Sequence, residues 1–195
     1  MEKNFNKAKF KRITRSIRIV LQSFYWASIV AGVVCFLGFI ALQFIPDQYL
    51  MSSDNSGFTL SMDGLIRYSI DSNNIIIGSI YKSITLMAAL LSIGLIAYFK
   101  QLYTLLYTVE EDRPFAKENT TRLRVMGMIL LLYSALIPGA GVLVASTMID
   151  IFDIKNIMVV YSVNLTLLIS GLIMLILAGI FHYGNYLQSE YDTTL

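Results

Sequence analysis

Residues able to carry chemistry are scarce in this chain. Cys35 is the only cysteine and His182 the only histidine among 195 residues, which excludes an internal disulfide and leaves no thiolate-rich metal cluster. Cys35 lies in an apolar run, where a thiol behaves as a small hydrophobe. Val34 stands before it, where a lipid-attachment motif would carry Gly or Ala. His182 has no HExxH pattern or carboxylate cluster around it and reads as a surface histidine. No Walker-type phosphate loop, GxSxG motif or pair of intramembrane carboxylates occurs, so phosphate binding, serine hydrolysis and proton relay lack support. The expectation is a non-enzyme with no cofactor and no metal. In the central loop and the tail, both read below as cytoplasmic, the acidic groups are Glu110, Glu111, Asp112 and Glu118 in one and Glu190 and Asp192 in the other. Such clusters suit electrostatic attraction of a basic protein partner.

The elements that position these groups follow from charge distribution. Hydrophobic residues make up 56% of the chain and charged residues 14%, against roughly a quarter charged in soluble domains. The excess is concentrated in four long stretches without Asp, Glu, Lys or Arg. A hydrocarbon layer about 30 Å thick takes roughly 20 helical residues to cross, and four segments meet that length: 19–45, 80–101, 125–148 and 157–181. Hydrocarbon has no water to satisfy free backbone groups, so each is expected to be a helix. The predicted fold is an all-α membrane protein of four transmembrane helices. A basic cytoplasmic segment 1–18 precedes the first span, a cytoplasmic loop 102–124 joins the second to the third, a short extracytoplasmic loop 149–156 precedes the fourth, and a cytoplasmic tail 182–195 ends the chain. The second uncharged run, between Lys82 and Lys100, is slightly short by itself, so the span 80–101 takes in both lysines, whose ammonium groups are expected to reach the headgroups along their aliphatic stems.

Orientation follows from the basic residues. Lys3, Lys7, Lys9, Lys11, Arg12, Arg15 and Arg18 precede the first span, and Lys100, Arg113, Lys117, Arg122 and Arg124 lie between the second and third. Both groups belong in the cytoplasm, which puts both termini there. The basic start is topogenic and attracts anionic lipid, with no need for nucleic acid. The first apolar run is too long for a signal-peptide core and lacks a small-residue cleavage site, so it reads as an uncleaved anchor.

Residues 46–79 form the largest extracytoplasmic segment. Apolar-rich runs flank Asp63-Gly64, a dipeptide suited to a two-residue type I′ turn, so a small β-hairpin is predicted between helices 1 and 2, with Met62 opposite Leu65 and Leu60 opposite Arg67. Its partly apolar face suits either a structural cap or a small sensing surface.

Within the spans, polar and small residues have two readings. Ser162, Thr166 and Ser170 recur every four residues, beside Asn164, as one face of the fourth helix. They favour close helix packing over a solute path, as do Ser28/Gly32, Ala88/Ser92 and Gly141/Ala145 elsewhere. Pro138 lies well inside the third span and leaves the carbonyl near Ser134 without its helical partner. Gly139 and Gly141 remove side chains beside it, so a bend, an approaching helix and a packing or hinge role are expected there.

Arg113-Pro114-Phe115-Ala116-Lys117-Glu118-Asn119 with Arg122-Leu123, together with Phe181-His182-Tyr183-Gly184, Leu187-Gln188, Glu190 and Asp192-Thr193-Thr194-Leu195, resembles a bacterial membrane family known as domain of unknown function twenty-nine seventy-five. Thr193 departs from the hydrophobic residue often found at that place. Such proteins are often encoded beside a small helix-turn-helix regulator, so the resemblance implies a regulatory or signalling partnership. On this reading Glu110, Glu111, Asp112, Glu118, Glu190 and Asp192 hold a cytoplasmic helix-turn-helix transcription regulator. The rival reading is a transport-accessory or self-immunity protein acting through the polar helix faces.

Overall fold

The computed structural model describes residues 7–50, 58–62, 66–70, 78–152 and 158–194. Four long helices dominate it: α1 (Lys7–Phe44), α2 (Gly78–Glu110), α3 (Lys117–Ile151) and α4 (Leu165–Thr194). Each contains a stretch long and apolar enough to cross a membrane. At most 17% of the most apolar window of any of them is buried within the protein, so lipid is the natural cover for the rest.

The helices outrun their spans. The 38 residues of α1 rise about 57 Å, nearly twice the hydrocarbon thickness. The segment read as a loop at 102–124 is mostly helical, because α2 continues to Glu110 and α3 starts at Lys117. The expected tail likewise continues α4 to Thr194, and the basic start is helical from Lys7. Hydrocarbon thickness limits where charge can sit, but it does not end a helix whose backbone bonds are already internal.

The fourth helix starts later than expected. Residues 158–164 are not helical, although they belong to an uncharged run. Val159, Val160 and Val163 make this stretch rich in β-branched residues, which favour extended backbone. Asn164 then caps α4, its Oδ1 accepting from the Leu167 N–H at 3.1 Å. Ser162 therefore lies outside the helix, and the expected face of Ser162, Thr166 and Ser170 does not form.

Strands β1 (Phe58–Met62) and β2 (Ile66–Ile70) pair antiparallel. Met62 stands opposite Ile66 and Leu60 opposite Tyr68. The expected pairs of Met62 with Leu65 and Leu60 with Arg67 are not made, because a connection of three residues shifts the register by one from a two-residue turn. The expected Asp63-Gly64 turn and the side chains of both strands lie outside the described residues.

By internal contact the chain forms two compact units. One comprises Met1–Gly32, Leu90–Pro138 and Ser162–Leu195. Its core is Leu123, Met126 and Ala178, packed by Tyr98, Leu102, Leu105, Met174, Leu177 and Phe181. The other comprises Val33–Ala89 and Gly139–Tyr161.

Within the first unit, glycines set the close helix contacts. A Cβ on Gly127 would lie 3.0 Å from the Gly171 carbonyl oxygen, and one on Gly171 3.0 Å from that of Gly127. Here α3 and α4 meet backbone to backbone. Gly32 faces the Ser92 side chain, and Gly94 leaves room for the Tyr133 ring, whose hydroxyl donates to the Leu91 carbonyl. Small residues permit such approach between membrane helices.

Candidate functional site

The polar end of the first unit joins the start of α1, the α2–α3 connection and the end of α4. Helix α2 stops in a Schellman arrangement: the Arg113 N–H donates to the Thr108 carbonyl at 2.9 Å and the Asp112 N–H to that of Val109 at 3.2 Å. Asp112 takes the left-handed conformation this requires, with φ of 62°, which Asp tolerates better than most residues. Pro114 follows, as suits a chain that must leave the helix.

This ending aims the acidic groups at the basic start of α1. Arg15 Nε donates to one Glu110 carboxylate oxygen at 2.6 Å, and Arg18 Nε to the other at 3.0 Å. Lys11 Nζ is 2.7 Å from an Asp112 oxygen. The Arg18 guanidinium also lies over the Tyr107 ring, 5.7 Å from its centroid. Glu111 pairs with Arg113. The hydrogen bond from Arg15, reinforced by Arg18, holds the Glu110 carboxyl below its ordinary range. Arg113, then Tyr107, does the same for Glu111. The hydrogen bond to Glu111 in turn raises the Tyr107 phenol.

Three of the predicted partner-binding acids are therefore occupied by the chain's own cations. Glu110 and Asp112 hold α1, while Glu111 holds its neighbour Arg113. Glu118 stands exposed in the first turn of α3, where a carboxylate suits the helix dipole. Glu190 is exposed near the end of α4. Asp192 has a described backbone only.

Below the ion pairs lies a buried polar knot. Asn119 is completely buried. Its Oδ1 accepts from Arg122 Nη1 at 2.8 Å and faces the Thr108 hydroxyl at 2.9 Å, while its Nδ2 donates to the Pro114 carbonyl at 2.8 Å. Arg122 Nη1 also donates to the Thr104 carbonyl at 3.1 Å. One amide side chain thus ties α2, the connection and α3 together. Thr120 beside it is 6% exposed, and its hydroxyl has no hydrogen-bond partner.

The connection also grips α4. The Phe115 ring packs on Phe181 with centroids 5.3 Å apart. Gly184 admits it, since a Cβ there would come within 2.8 Å of the ring. Asn185 Nδ2 donates to the Phe115 carbonyl at 2.8 Å. Around this junction lies an open cleft of about 260 Å³ lined by Arg113, Phe115, Ala116, Glu118, Asn185, Gln188 and Ser189. Its lining sets the Phe115 ring and Ala116 beside charged and amide side chains.

The intramembrane residues fall differently. Pro138 lies inside α3, which continues on both sides of it. The Ser134 carbonyl, deprived of its partner four residues on, accepts instead from the Asn164 backbone N–H at 2.8 Å. Asn164 is thus a cap and a donor, not a side chain on a helix face. Gly139 meets only the Tyr161 ring edge, 3.9 Å from an added Cβ, and nothing lies within 4 Å of one on Gly141. The helix expected to approach there does not do so at Gly141; close packing is at Gly127 and Gly171. Thr166 is exposed and Ser170 half-buried.

The sequence reading missed Asn119, Gly127 and Gly171. Asn119 had a usable signal, a short amide in the first turn of a helix beginning just after Pro114. The glycines had none, since only the helix crossing distinguishes them from Gly38 or Gly179, where an added Cβ meets nothing. Among the described residues, no three His, Cys, Asp or Glu side chains come together as metal ligands.

No curated protein and no solved structure matches this chain. The residues of the Arg113–Arg122 motif and of the α4 motif meet in one knot, and the family described as Protein of unknown function (DUF2975) matches across residues 2–195; the chain belongs to that family.

Proposed function

We propose that this protein is a non-enzymatic regulator in a bacterial cytoplasmic membrane, docking a cytoplasmic helix-turn-helix regulator at the polar end of its bundle. The observation that carries this reading is the lock between Phe115 and Gly184 with the Asn185 bond, which unites two separate segments into one cleft. The cytoplasmic assignment of this end, and of both termini, is supported by the basic residues gathered there, including Lys11, Arg12, Arg15, Arg18, Arg113, Arg122 and Arg124. With Glu110 and Asp112 engaged by α1, the docking surface shifts from the acidic row to the cleft rim. The helix-turn-helix identity of the partner comes from the family resemblance.

A transport-accessory or self-immunity role draws less support. Many helix hydroxyls, including those of Thr14, Ser28, Thr104 and Thr147, bond to carbonyls of their own helices, which satisfies them without a solute.

The test is co-purification of the regulator encoded next to this gene, from detergent. Wild type is expected to retain it, and Glu118→Lys combined with Gln188→Lys to lose it without loss of the folded protein. Equal retention by both would remove the cleft as the docking surface.

A further inference from the structure

Arg122 holds a guanidinium at the edge of the third span with most of its donors unused. The residue is half-buried, and its two hydrogen bonds, to Asn119 Oδ1 and to the Thr104 carbonyl, both leave from Nη1, which has two hydrogens to give. The two bonds fix the plane of the group. Nε and Nη2 make no hydrogen bond among the described residues, and no carboxylate there forms an ion pair with Arg122, Glu118 one turn earlier included. Nor is this edge sealed, since Thr120 Oγ1 is the one fully buried side-chain N or O atom without a partner among the described residues. What remains open is the side-on pair of parallel N–H groups, the fork that takes two oxygens of a phosphate.

The surroundings add a second cation and an apolar approach. Lys100 and Gln101 precede Thr104 on α2 by four and three residues, so they share the side of that helix which carries Thr104. Lys100 is exposed, and it too forms no ion pair with a carboxylate among the described residues. It is the first charge after the uncharged stretch of α2, while Arg122 and Arg124 are the last before that of α3. These cations therefore stand where hydrocarbon gives way to headgroups. Farther into the span, helical spacing continues the two lines through Ile93 on α2, which is 65% exposed, and through Val125 and Ile129 on α3, both half-buried. An occupant that suits both parts is anionic at one end and apolar beyond it.

We propose that this groove between α2 and α3 binds the phosphate of an anionic phospholipid, with two of its oxygens on Nε and Nη2 of Arg122 and with Lys100 as the second positive charge. The lipid supplies the half-buried guanidinium with a counter-ion that the chain does not provide, and its acyl chains cover Ile93, Val125 and Ile129. Basic pockets between membrane helices hold anionic headgroups in this manner. Neither Arg122 nor Lys100 lines the cleft around Phe115, so the lipid site does not depend on what docks there.

The experiment places the full chain in nanodiscs of equal parts phosphatidylglycerol and phosphatidylcholine and counts the lipids that stay bound by native mass spectrometry. Wild type is expected to retain phosphatidylglycerol in about twentyfold preference, the product of two charges near a membrane surface, and Lys100→Gln to lower that preference about fivefold. Arg122→Lys keeps the charge and loses the fork, and is expected to lower it several-fold as well. Arg124→Gln is the control, because it removes an equal charge from an exposed position two residues away, on another side of α3; it should leave the preference unchanged. Thermal unfolding reports which variants are folded, and the exposed Lys100→Gln keeps the comparison readable should Arg122→Lys not fold. Equal losses in Arg124→Gln and Lys100→Gln would mean diffuse attraction, and displacement of the lipid by excess inorganic phosphate would mean a site for soluble phosphate. Either result, or a wild type without preference, would overturn the proposal.

Discussion

The backbone N–H of Asn164 donates to the carbonyl oxygen of Ser134 at 2.8 Å, replacing the bond that Pro138 cannot make. The same residue caps α4 through its side chain, so one asparagine closes two backbone deficits. Asn164→Ala keeps the N–H and loses only the cap, an expected cost of about 1 kcal/mol. Asn164→Pro removes the donor as well and leaves a buried carbonyl unpaired, adding about 1–3 kcal/mol. Pro138→Ala supplies a competing N–H, and the amides at 164–168 should then exchange faster with solvent. Thermal unfolding in detergent and hydrogen exchange check all three; a proline variant as stable as the alanine variant would show the bond to be dispensable. If the region also acts as a hinge, Pro138→Ala changes signalling while topology and expression persist.

The crossing of α3 and α4 predicts a sharp difference among glycines. Gly127→Ala and Gly171→Ala each drive a methyl against the opposing backbone, which cannot swing aside as a side chain can, and should each cost about 1–3 kcal/mol. Gly141→Ala meets open space and should be stabilising by roughly 0.5–1 kcal/mol through reduced chain entropy. Equal melting temperatures for Gly127→Ala and Gly141→Ala would contradict the crossing.

Asn119 and Thr120 are neighbours with opposite expected behaviour. Asn119→Ala strands the Pro114 carbonyl and part of the Arg122 guanidinium, for an expected loss of about 2–3 kcal/mol. Thr120→Val deletes a hydroxyl that has no partner and should be neutral or slightly stabilising. Denaturation of the purified protein separates the two, and a destabilised Thr120→Val would reveal a bond to that hydroxyl.

The grip of Glu110 on α1 depends on pH with a definite sign. Arg15 and Arg18 depress its folded-state carboxyl, so its contribution is complete above the ordinary glutamate value of about 4.3. It is lost as pH falls through the depressed value. Hydrogen exchange in the first turns of α1 should therefore rise only below that ordinary value. Glu110→Gln should produce the same loosening at neutral pH, by no more than about fivefold for so solvent-accessible a pair. Unchanged exchange in Glu110→Gln would remove Glu110 as a latch.

Sidedness can be read with an impermeant thiol reagent on intact cells, using Ser56→Cys and Lys117→Cys in a Cys35→Ala background. Lys117 is exposed and therefore suitable, whereas its neighbour Asn119 is buried. Labelling at position 56 alone is expected. The reverse pattern would invert the proposed orientation and place the cleft outside the cell.

Four spans were legible in the chain because crossing hydrocarbon is a local matter: residues add their transfer cost segment by segment, and charge marks the limits. The orphaned carbonyl near Ser134 was legible for the same reason, since Pro138 creates it within one helical turn. What answered that carbonyl was not legible. Asn164 reaches it only because a β-branched stretch interrupts the uncharged run and the chain folds back. Likewise the acidic row at Glu110–Asp112 looked available to a partner until folding brought Lys11, 101 residues away from Asp112, to within 2.7 Å of it. Membrane insertion is decided along the sequence, but hydrogen-bond and ion-pair partners are decided by which distant side chains packing brings within about 3 Å of each other, and only the tertiary structure contains that information.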